Sequence, residues 1–501
     1  MSTVKAQNDY HSETNLSHAT DILILNACLY DGTPTPPLQQ DVAIRGDKIE
    51  AIGDLKGYTA KQVVDASGMA LAPGFIDVHT HDDIELIRNP SMLSKLSQGI
   101  TTVIVGNCGI SASPVAVTET VPDPLNLLGR ADEFRFPTLS AYKEAFEQAQ
   151  PALNVAVLVG HTALRAQVMD RLDRPATKTE IDTMRAMLVG ALEQGAKGLS
   201  TGLAYQSAFH APVEEIDALS AVLAEYDALY TTHLRTEFDG IIDALDEAFA
   251  TGQKAKVPVV ISHLKCAGKA NWGRSAEVLA HLQSAQQHQH VGCDCYPYSA
   301  SSSTLDLGQV TTDFEIFITW SDPHPDMAGQ TLHAIADNWQ CSMLEAAEKL
   351  QPAGAVYHGM DEQDVQRIVS FPTSMIGSDG LPCDPSPHPR LWGSFPRVLG
   401  HYARDKGLMP MELAVHKMTG LSAQEFMLHG RGLVKPGFQA DLVLFDPLKV
   451  KDNASFIQPK QAAEGILKVW VNGQLSYENT QNPSLTGNRA GQFLQHTGKQ
   501  Q

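Results

Sequence analysis

Apolar runs that end in polar residues recur along this chain at the length of short strands. Eight runs have this pattern: GFIDVHTH, TTVIVGNC, NVAVLVGHT, AKGLSTGLAY, LYTTHLRTE, PVVISHLKC, VGCDCYPY and SMIGSDG. Short runs rich in β-branched residues and bounded by polar ones are typical of buried strands. The pattern therefore predicts eight strands, each with polar residues at its carboxyl end.

Helical patterns lie between most of these runs. Apolar residues recur at helical spacing in PVEEIDALSAVLAEYDA (212–228), and DGIIDALDEAFATG (239–252) ends on a glycine, as helices often do. The steps from His233 to His263 and on to Asp294 are about 30 residues, the length of a βα unit. The alternation predicts an α/β protein built as a (β/α)8 TIM-type barrel with its site at the carboxyl ends of the strands. A doubly wound open sheet is the alternative, but it would gather ligands at one switch point instead of around a ring.

Two segments outside the barrel have the texture of short antiparallel strands. Residues 20–72 and 431–480 alternate apolar and polar positions between glycine turns, which predicts a small β-sandwich built from both chain ends. The barrel then occupies 73–430. Between its seventh and eighth strands, 299–366 is too long for an ordinary loop and is expected to form a functional insert, either a lid or a small subdomain. The polar segment 481–501 is expected to be a loose tail.

Composition narrows the class of protein. The chain has 501 residues, of which 43% are hydrophobic and 19% charged, as in a globular protein. Its net charge of -20 argues against nucleic acid as a partner. Seven cysteines without a CxxC pair predict reduced thiols, and neither a signal pattern nor an apolar run of membrane-spanning length is visible. We therefore expect a cytoplasmic protein with a small-molecule substrate and no membrane contact. Its oligomeric state is not predicted.

Six polar residues stand at the ends of five of the eight runs, where a barrel places its site. They are His79, His81, Cys108, His233, His263 and Asp379. Each alone has an ordinary interpretation: the histidines as polar residues with local partners, Cys108 as a small apolar residue, Asp379 as a turn cap. Their shared position favours a metal site, since residues i and i+2 of a strand, such as His79 and His81, point to the same side. Imidazole with thiolate favours zinc over magnesium or calcium.

The motifs also resemble those of a known family. An HxH motif, two later histidines, a late aspartate and a split β-rich unit ending in ADLVLFD resemble the amidohydrolase superfamily. Within it, GNCGIS, GLSTGLAY, THLRTE, SHLKCAG, CDCYPY and GSDG resemble the N-acyl-D-amino-acid deacylases, or D-aminoacylases, over about residues 20–480. The related hydantoinases and dihydroorotases bridge two metals with a carboxylated lysine, whereas the D-aminoacylases use a cysteine in that region. Cys108 therefore distinguishes between these groups.

The resemblance implies roles for individual residues. Cys108, His233 and His263 match the ligands of a tight zinc site, while His79 and His81 match a weaker second position that is often only partly filled. Asp379 matches the catalytic acid and base. The family's grip on the substrate carboxylate is matched by Lys265, Tyr296 and Arg390, with Tyr205 beside it. Outside the resemblance, Lys265 and Arg390 read equally well as surface charges, and the two tyrosines as core aromatics.

The resemblance implies zinc-dependent hydrolysis of N-acyl-D-amino acids to a D-amino acid and a carboxylate. Zinc with an open position would activate water, with Asp379 taking its proton and later protonating the departing amine. No G-x-S-x-G motif suggests a serine nucleophile. A D-residue dipeptidase with the same metal site stays open as an alternative. Cys108 disfavours a cyclic amidase, and the six filled positions count against a non-catalytic barrel scaffold. In the family that the chain resembles, members specific for acidic side chains often carry a basic residue in the loop after the seventh strand. Here that loop, SASSSTLDLGQV, contains Asp306 and no arginine, so the resemblance counts against a specialist for acidic D-amino acids.

Overall fold

The structure is a computed structural model that describes residues 18–117, 120–479, 483–496 and 498. The barrel strands are almost entirely buried, and several are mainly apolar; all seven residues of NVAVLVG, for example, are buried. Within the described residues the strands are, in chain order, β1 (His18–Leu29), β2 (Leu38–Arg45), β3 (Lys48–Gly53), β4 (Tyr58–Asp65), β5 (Ala70–Pro73), β6 (Phe75–Asp77), β7 (Ile100–Val105), β8 (Val115–Ala116), β9 (Arg135–Phe136), β10 (Asn154–Gly160), β11 (Gly198–Gly202), β12 (Leu229–His233), β13 (Val259–Ile261), β14 (Val291–Cys295), β15 (Ser301–Thr304), β16 (Ile316–Ser321), β17 (Ala353–Tyr357), β18 (Ser374–Ile376), β19 (Leu442–Phe445), β20 (Ile466–Val471), β21 (Gln474–Asn479) and β22 (Pro483–Leu485).

The α-helices begin at recognisable signals. Thr177 and Glu180, for example, form a reciprocal capping box at the start of the helix Lys178–Glu193. The described α-helices are α1 (Glu85–Arg88), α2 (Leu93–Leu96), α3 (Leu139–Ala149), α4 (His161–Val168), α5 (Lys178–Glu193), α6 (Gln206–Phe209), α7 (Val213–Ser220), α8 (Ile241–Ala255), α9 (Ser275–Ala285), α10 (Leu332–Trp339), α11 (Met343–Leu350), α12 (Glu362–Ser370), α13 (Arg390–Arg397), α14 (Met411–Lys417) and α15 (Gly420–Glu425). None of the helices in these parts of the chain has the length and apolar character needed to cross a membrane.

The eight predicted strands form one parallel sheet in the order β6-β7-β10-β11-β12-β13-β14-β18. The sheet curves until its two edge strands meet, where a single parallel bridge joins Thr80 to Gly380 just beyond β6 and β18. The predicted fold class, a (β/α)8 barrel, is confirmed. Its strands run in the same direction, so their carboxyl ends gather at one mouth of the barrel.

Strands from both ends of the chain form a second sheet, the terminal sheet (β1–β5 and β19–β22). Its strands follow the order β22-β21-β20-β19-β5-β1-β2-β3, with β4 paired to β1, and the two chain ends meet where β5 lies antiparallel to β19. Alternate residues of β19 face opposite ways: Leu442 and Leu444 join a core within the terminal sheet, while Val443 and Phe445 join the barrel core. The predicted β-sandwich takes the form of this one continuous sheet.

The predicted insert between the seventh and eighth barrel strands is also present. Strands β15, β17 and β16 form a three-stranded antiparallel sheet, and helices α10 and α11 pack against it. The apolar side chains of these elements form a core separate from that of the barrel. Helix α12 begins at Glu362, inside the predicted range 299–366. The insert is therefore a small α+β subdomain, and the predicted divisions of the chain at residues 72, 430 and 480 stay predictions.

The segment after residue 480 differs from the loose tail that was predicted. Strand β22 pairs with β21, and residues 491–494 lie along the start of β10, where Val155 donates to the Gln492 carbonyl and accepts from the Leu494 amide. The first amides of a strand need acceptors, and this segment supplies them. The expectation of a loose tail is wrong for residues 483–496. Residues 481, 482, 497 and 499–501 lie outside the described residues.

One helix end also differs from its sequence signal. Helix α8 continues past Gly252 to Ala255 and ends at Lys256, which takes a left-handed conformation with φ of 58°. Gly252 instead lies where α8 packs on β13, because a Cβ there would come within 2.0 Å of Val259 Cγ2. This glycine permits close helix–strand packing and does not terminate the helix.

Candidate metal centre

The five predicted metal ligands and the predicted acid, Asp379, lie together at the carboxyl mouth of the barrel. His233 ends β12, and the others follow β6, β7, β13 and β18 within a few residues. Two overlapping clusters result, and in each the candidate ligand atoms lie within 4.8 Å of one another. The first, the thiol half, contains Cys108, His233 and His263; the second, the aspartate half, contains His79, His81, Asp379 and again Cys108.

The thiol half has the dimensions of a single metal site. Cys108 Sγ lies 3.3 Å from His263 Nε2, which is 2.9 Å from His233 Nδ1. Tetrahedral zinc with ordinary bond lengths separates its nitrogen and sulfur ligands by about 3.3 to 3.6 Å. The observed spacings are slightly shorter, so a small outward movement of the imidazoles would admit the ion. One sulfur and two nitrogens are a donor set that suits zinc.

The aspartate half joins the thiol half through the cysteine. His79 Nε2 lies 3.2 Å from Cys108 Sγ and 3.6 Å from Asp379 Oδ1. His81 Nε2 lies 3.2 Å from the same carboxylate oxygen. Both imidazoles are buried, with exposed fractions of 0% and 2%. The two histidines of the HxH motif therefore point to one place, as their alternation along an extended chain requires.

The backbone at the site adopts conformations that ordinary residues avoid. Cys108, His263 and Asp379 have φ values of 53°, 37° and 49°. The left-handed region costs a non-glycine residue of order 1 kcal/mol or more and persists only where surrounding contacts enforce it. Three such residues among six at one barrel mouth show that the turns after β7, β13 and β18 are shaped to aim side chains inward.

Charge interactions favour an ionised thiolate and carboxylate. Burial opposes ionisation of Cys108, but the imidazoles of His79 and His263 outweigh it and hold the pKa of the thiol well below its ordinary value. Burial likewise opposes ionisation of Asp379, yet the Arg390 guanidinium and the His81 imidazole hold its pKa well below the usual range. The direction of both shifts favours the thiolate and the carboxylate, the forms that metal ligation and proton acceptance require.

Two buried carboxylates that the sequence analysis did not assign to the site lie behind the candidate ligands. Asp294 Oδ2, at the end of β14, is 3.2 Å from His79 Nδ1, and Asp294 Oδ1 accepts from the His263 amide at 2.9 Å. Glu237 Oε1 lies 3.0 Å from His263 Nδ1. Such carboxylates fix the tautomer and ring orientation of metal-binding histidines. Their position after strands, in CDCYPY and THLRTE, was the available signal.

Three of the four predicted substrate contacts form one group beside Asp379. Arg390 Nη1 lies 2.8 Å from Asp379 Oδ2, and its guanidinium carbon lies 4.6 Å from the centre of the Tyr296 ring. Lys265 Nζ lies 5.7 Å from the same ring centre, so both cations lie close to this ring. Burial raises the pKa of Tyr296 well above its ordinary value, and the phenol stays a donor at neutral pH. Lys265 is not a free cation, because Glu237 accepts from it at 2.5 Å.

The fourth predicted contact, Tyr205, connects the site to the insert. Its ring centre lies 5.0 Å from that of His233, and its hydroxyl lies 3.5 Å from Ser303 Oγ on β15. All the predicted site residues are thus linked by contacts around one barrel mouth. Their individual roles stay predictions. His161, directly after the third barrel strand, pairs with Glu215 at 2.9 Å.

Comparison with known proteins agrees with the fold and the donor set. The family model described as "Amidohydrolase family" matches residues 62–477. The chain therefore belongs to the amidohydrolase family, as its motifs predicted.

Similar curated proteins show to which group within the amidohydrolase family the chain belongs. The chain is 47% identical to a D-aminoacylase of Alcaligenes xylosoxydans xylosoxydans, covering 96% of this chain and 99% of the relative. From the same organism, an N-acyl-D-aspartate deacylase is 45% identical, covering 95% of each chain. An N-acyl-D-glutamate deacylase is 46% identical, covering 90% of this chain and 93% of the relative. The predicted place among the N-acyl-D-amino-acid deacylases is confirmed.

Solved structures agree in shape along nearly the whole chain. A D-aminoacylase described as having a binuclear metal centre superposes with a TM-score of 0.93 at 48% identity, covering 95% of this chain and 100% of that one. An N-acyl-D-glutamate deacylase of Bordetella bronchiseptica, complexed with zinc and a phosphonate mimic of the tetrahedral intermediate, gives 0.91 at 44% identity, with the same coverage.

Proposed function

We propose that this protein hydrolyses the amide bond of N-acyl-D-amino acids, releasing a D-amino acid and a carboxylate. The observation that carries the proposal is the placement of Asp379 beside a buried thiol that two further imidazoles approach within ligand distance. The names of the full-length relatives support the same substrate class. Their differing side-chain preferences leave the side chain of this protein's substrate open.

The thiol half is the proposed tight zinc site, held by Cys108, His233 and His263. His79 and His81 would complete a weaker second position with Asp379. The thiol, the imidazoles and the carboxylates behind His79 and His263 form a donor set that fits zinc. When bound, zinc supplies Lewis acidity toward water and toward the carbonyl oxygen of the amide.

Asp379 is the proposed general base. Its pKa, held low mainly by Arg390, keeps it ionised at neutral pH, so it can accept the proton of the attacking water. Its Oδ1 atom faces His79 and His81, while its Oδ2 atom faces Arg390. The ion pair between Arg390 Nη1 and Oδ2 favours the orientation of the carboxyl group in which Oδ1 faces the metal centre. The same oxygen would return the proton to the departing amine.

Lys265, Tyr296 and Arg390 are the proposed contacts to the substrate carboxylate. A planar guanidinium, an ammonium and a phenol around one point can hold a carboxylate in a fixed direction. A fixed carboxylate and a fixed scissile carbonyl leave one free direction for the side chain at Cα. The clamp would thereby distinguish D from L substrates. Tyr205 stands next to the clamp, on the side of the insert.

We further propose a cytoplasmic enzyme that does not bind nucleic acid. All seven cysteines are unpaired, which favours a reducing compartment. The net charge of -20 would repel a phosphate backbone.

The test is an assay of the purified chain with one equivalent of zinc against N-acetyl D- and L-amino acids, D-dipeptides and hydantoins. We expect turnover of the N-acetyl D-amino acids.

Asp379→Asn should retain zinc and lose turnover, and Cys108→Ala should lose most of its zinc. Cys28→Ala, in the terminal sheet, is the matched control and should lose neither. Unchanged turnover in the aspartate variant, or stoichiometric zinc in the Cys108 variant, would refute the assigned roles. Preference for dipeptides or hydantoins would replace the proposed substrate.

A further inference from the structure

A fully buried lysine lies directly beneath the aspartate half. Lys95, in α2, has no exposed surface, and its ammonium donates to Asp77 Oδ2 at 2.8 Å, Thr80 Oγ1 at 2.9 Å and Ser378 Oγ at 2.8 Å. It also lies 3.1 Å from Asp82 Oδ2. A buried ammonium needs partners of this kind, because an unpaired buried charge would be costly.

The partners of Lys95 alternate along the chain with candidate catalytic groups. Asp77 and Thr80 flank His79. Ser378 directly precedes Asp379 and bonds to Asp77 twice, through its amide at 2.8 Å and its hydroxyl at 2.6 Å. The lysine therefore ties together the two loops that carry the HxH motif and the proposed base.

These contacts lie at the seam where the barrel closes. β6 and β18 are joined in the described structure by the single bridge between Thr80 and Gly380, together with bonds from the His81 amide to the Gly380 carbonyl (3.1 Å) and from the Asp379 amide to the His79 carbonyl (2.7 Å). A full ladder would fix the relative position of the strands by itself. Here Lys95 and its partners Asp77, Thr80, Asp82 and Ser378, the Lys95 cluster, supply side-chain bonds where the two strands share few backbone bonds.

We propose that Lys95 and Ser378 are positioning residues that hold His79, His81 and Asp379 in place relative to one another, through contacts of their own that do not reach the thiol half. Within the described residues, no hydrogen bond or ion pair joins either of them to Cys108, His233 or His263, the members of the thiol half. The cluster acts on the proposed base through the backbone, because the Ser378 side chain is hydrogen-bonded to Lys95 and Ser378 is the residue directly before Asp379. Its effect on turnover rests on the function proposed above, whereas its effect on side-chain position does not.

The obvious variant, Lys95→Met, leaves Asp77 and Asp82 buried without a counter-charge and threatens folding. Ser378→Ala is the milder test, because it removes one hydroxyl and leaves the ion pairs in place. Ser374→Ala is its matched control. Ser374 is equally buried, lies at the other end of β18, and donates to the Ile368 carbonyl at 2.7 Å, away from the metal centre.

The variants and the wild type would be compared in zinc content, in kcat and KM for an N-acetyl-D-amino acid, and in crystal structures with zinc. We expect Ser378→Ala to keep one equivalent of zinc, to lose about tenfold to a hundredfold in kcat with KM changed less than about threefold, and to show Asp379 displaced. The thiol half should be unmoved. Ser374→Ala should match the wild type in all three measurements.

Three outcomes would overturn the proposal: an unmoved Asp379 with unchanged kcat, loss of zinc in parallel with kcat, or an equal loss of kcat in the Ser374 variant. Failure of the proposed function is a different result. It would show as a wild type that turns over no N-acyl-D-amino acid, and the crystal structures and zinc contents would still decide whether Ser378 positions Asp379.

Discussion

Replacing Glu237 with glutamine tests whether its carboxylate supports metal binding by fixing the tautomer of His263. For His263 to offer Nε2 to a metal, Nδ1 must carry its proton, and Glu237 Oε1 is the acceptor 3.0 Å away. Lys265 Nζ lies 2.8 Å from the same Nδ1 and, by donating to it, would favour the opposite tautomer. The carboxylate decides between the two arrangements, because it also holds Lys265 at 2.5 Å.

The size of the effect follows from the charges around Glu237. Burial opposes ionisation, but Lys265 and the imidazoles of His233 and His263 hold the pKa of Glu237 at about 2 against an ordinary value of 4.5. That difference corresponds to about 3 kcal/mol of favourable interaction with the carboxylate. Loss of an outer carboxylate commonly weakens metal binding about tenfold to a hundredfold, which is about 1.4 to 2.7 kcal/mol and lies within that limit. We expect a loss of this size in Glu237→Gln.

The assay is competition for zinc between the protein and a chromophoric chelator at pH 7. Glu247→Gln is the control, since Glu247 pairs with Arg235 at 2.7 Å in the same strand–helix unit but away from the metal centre. Zinc affinity should fall in the Glu237 variant and stay at the wild-type value in the control. An affinity of Glu237→Gln within about threefold of the wild type would refute the tautomer argument.

Two further changes probe the fold around the site. Glu215 is buried, and the hydrogen bond from His161 outweighs that burial to hold its pKa at about 2 against 4.5, so its stabilising effect is present above pH 4.5 and is lost as the pH falls toward 2. Urea unfolding should show Glu215→Gln less stable than the wild type by up to about 3 kcal/mol at pH 7, with a gap that narrows below pH 4.5; a constant gap would contradict this. A Cβ at Gly377 would lie 2.4 Å from His79 Cβ, so Gly377→Ala should reduce kcat, whereas Gly190→Ala, where no atom lies within 4 Å of the new Cβ, should not. Equal kcat values in both glycine variants would show that β18 can shift without disturbing the site.

Local pattern predicted the barrel because each strand carries its own signal. In NVAVLVGHT, burial on both faces requires mostly apolar residues, and the polar residues follow where the strand leaves the core. Parallel strands place those ends at one mouth whatever the details of packing. The six metal-centre candidates could therefore be assembled from sequence before any distance was known.

Two predictions were wrong because the same sequence feature occurs in more than one structural setting. Gly252 resembled a helix end, but its missing Cβ serves close packing against β13. Residues 483–496 are polar enough for a tail, yet they supply backbone partners to β10, and backbone pairing leaves no mark in side-chain composition. In both cases a neighbour distant in the chain determined the structure.

By itself the sequence determined the strand count, the barrel class, the donor set and the family. Only the tertiary structure decided which carboxylates stand behind the ligands and how the barrel closes over Lys95. Asp294 and His79 are 215 residues apart, and their contact depends on the curvature that brings two non-adjacent strands to one mouth. Periodicity specifies which face a side chain takes, because it depends on neighbours in the chain. The partner met on that face depends on the packing of all the strands together.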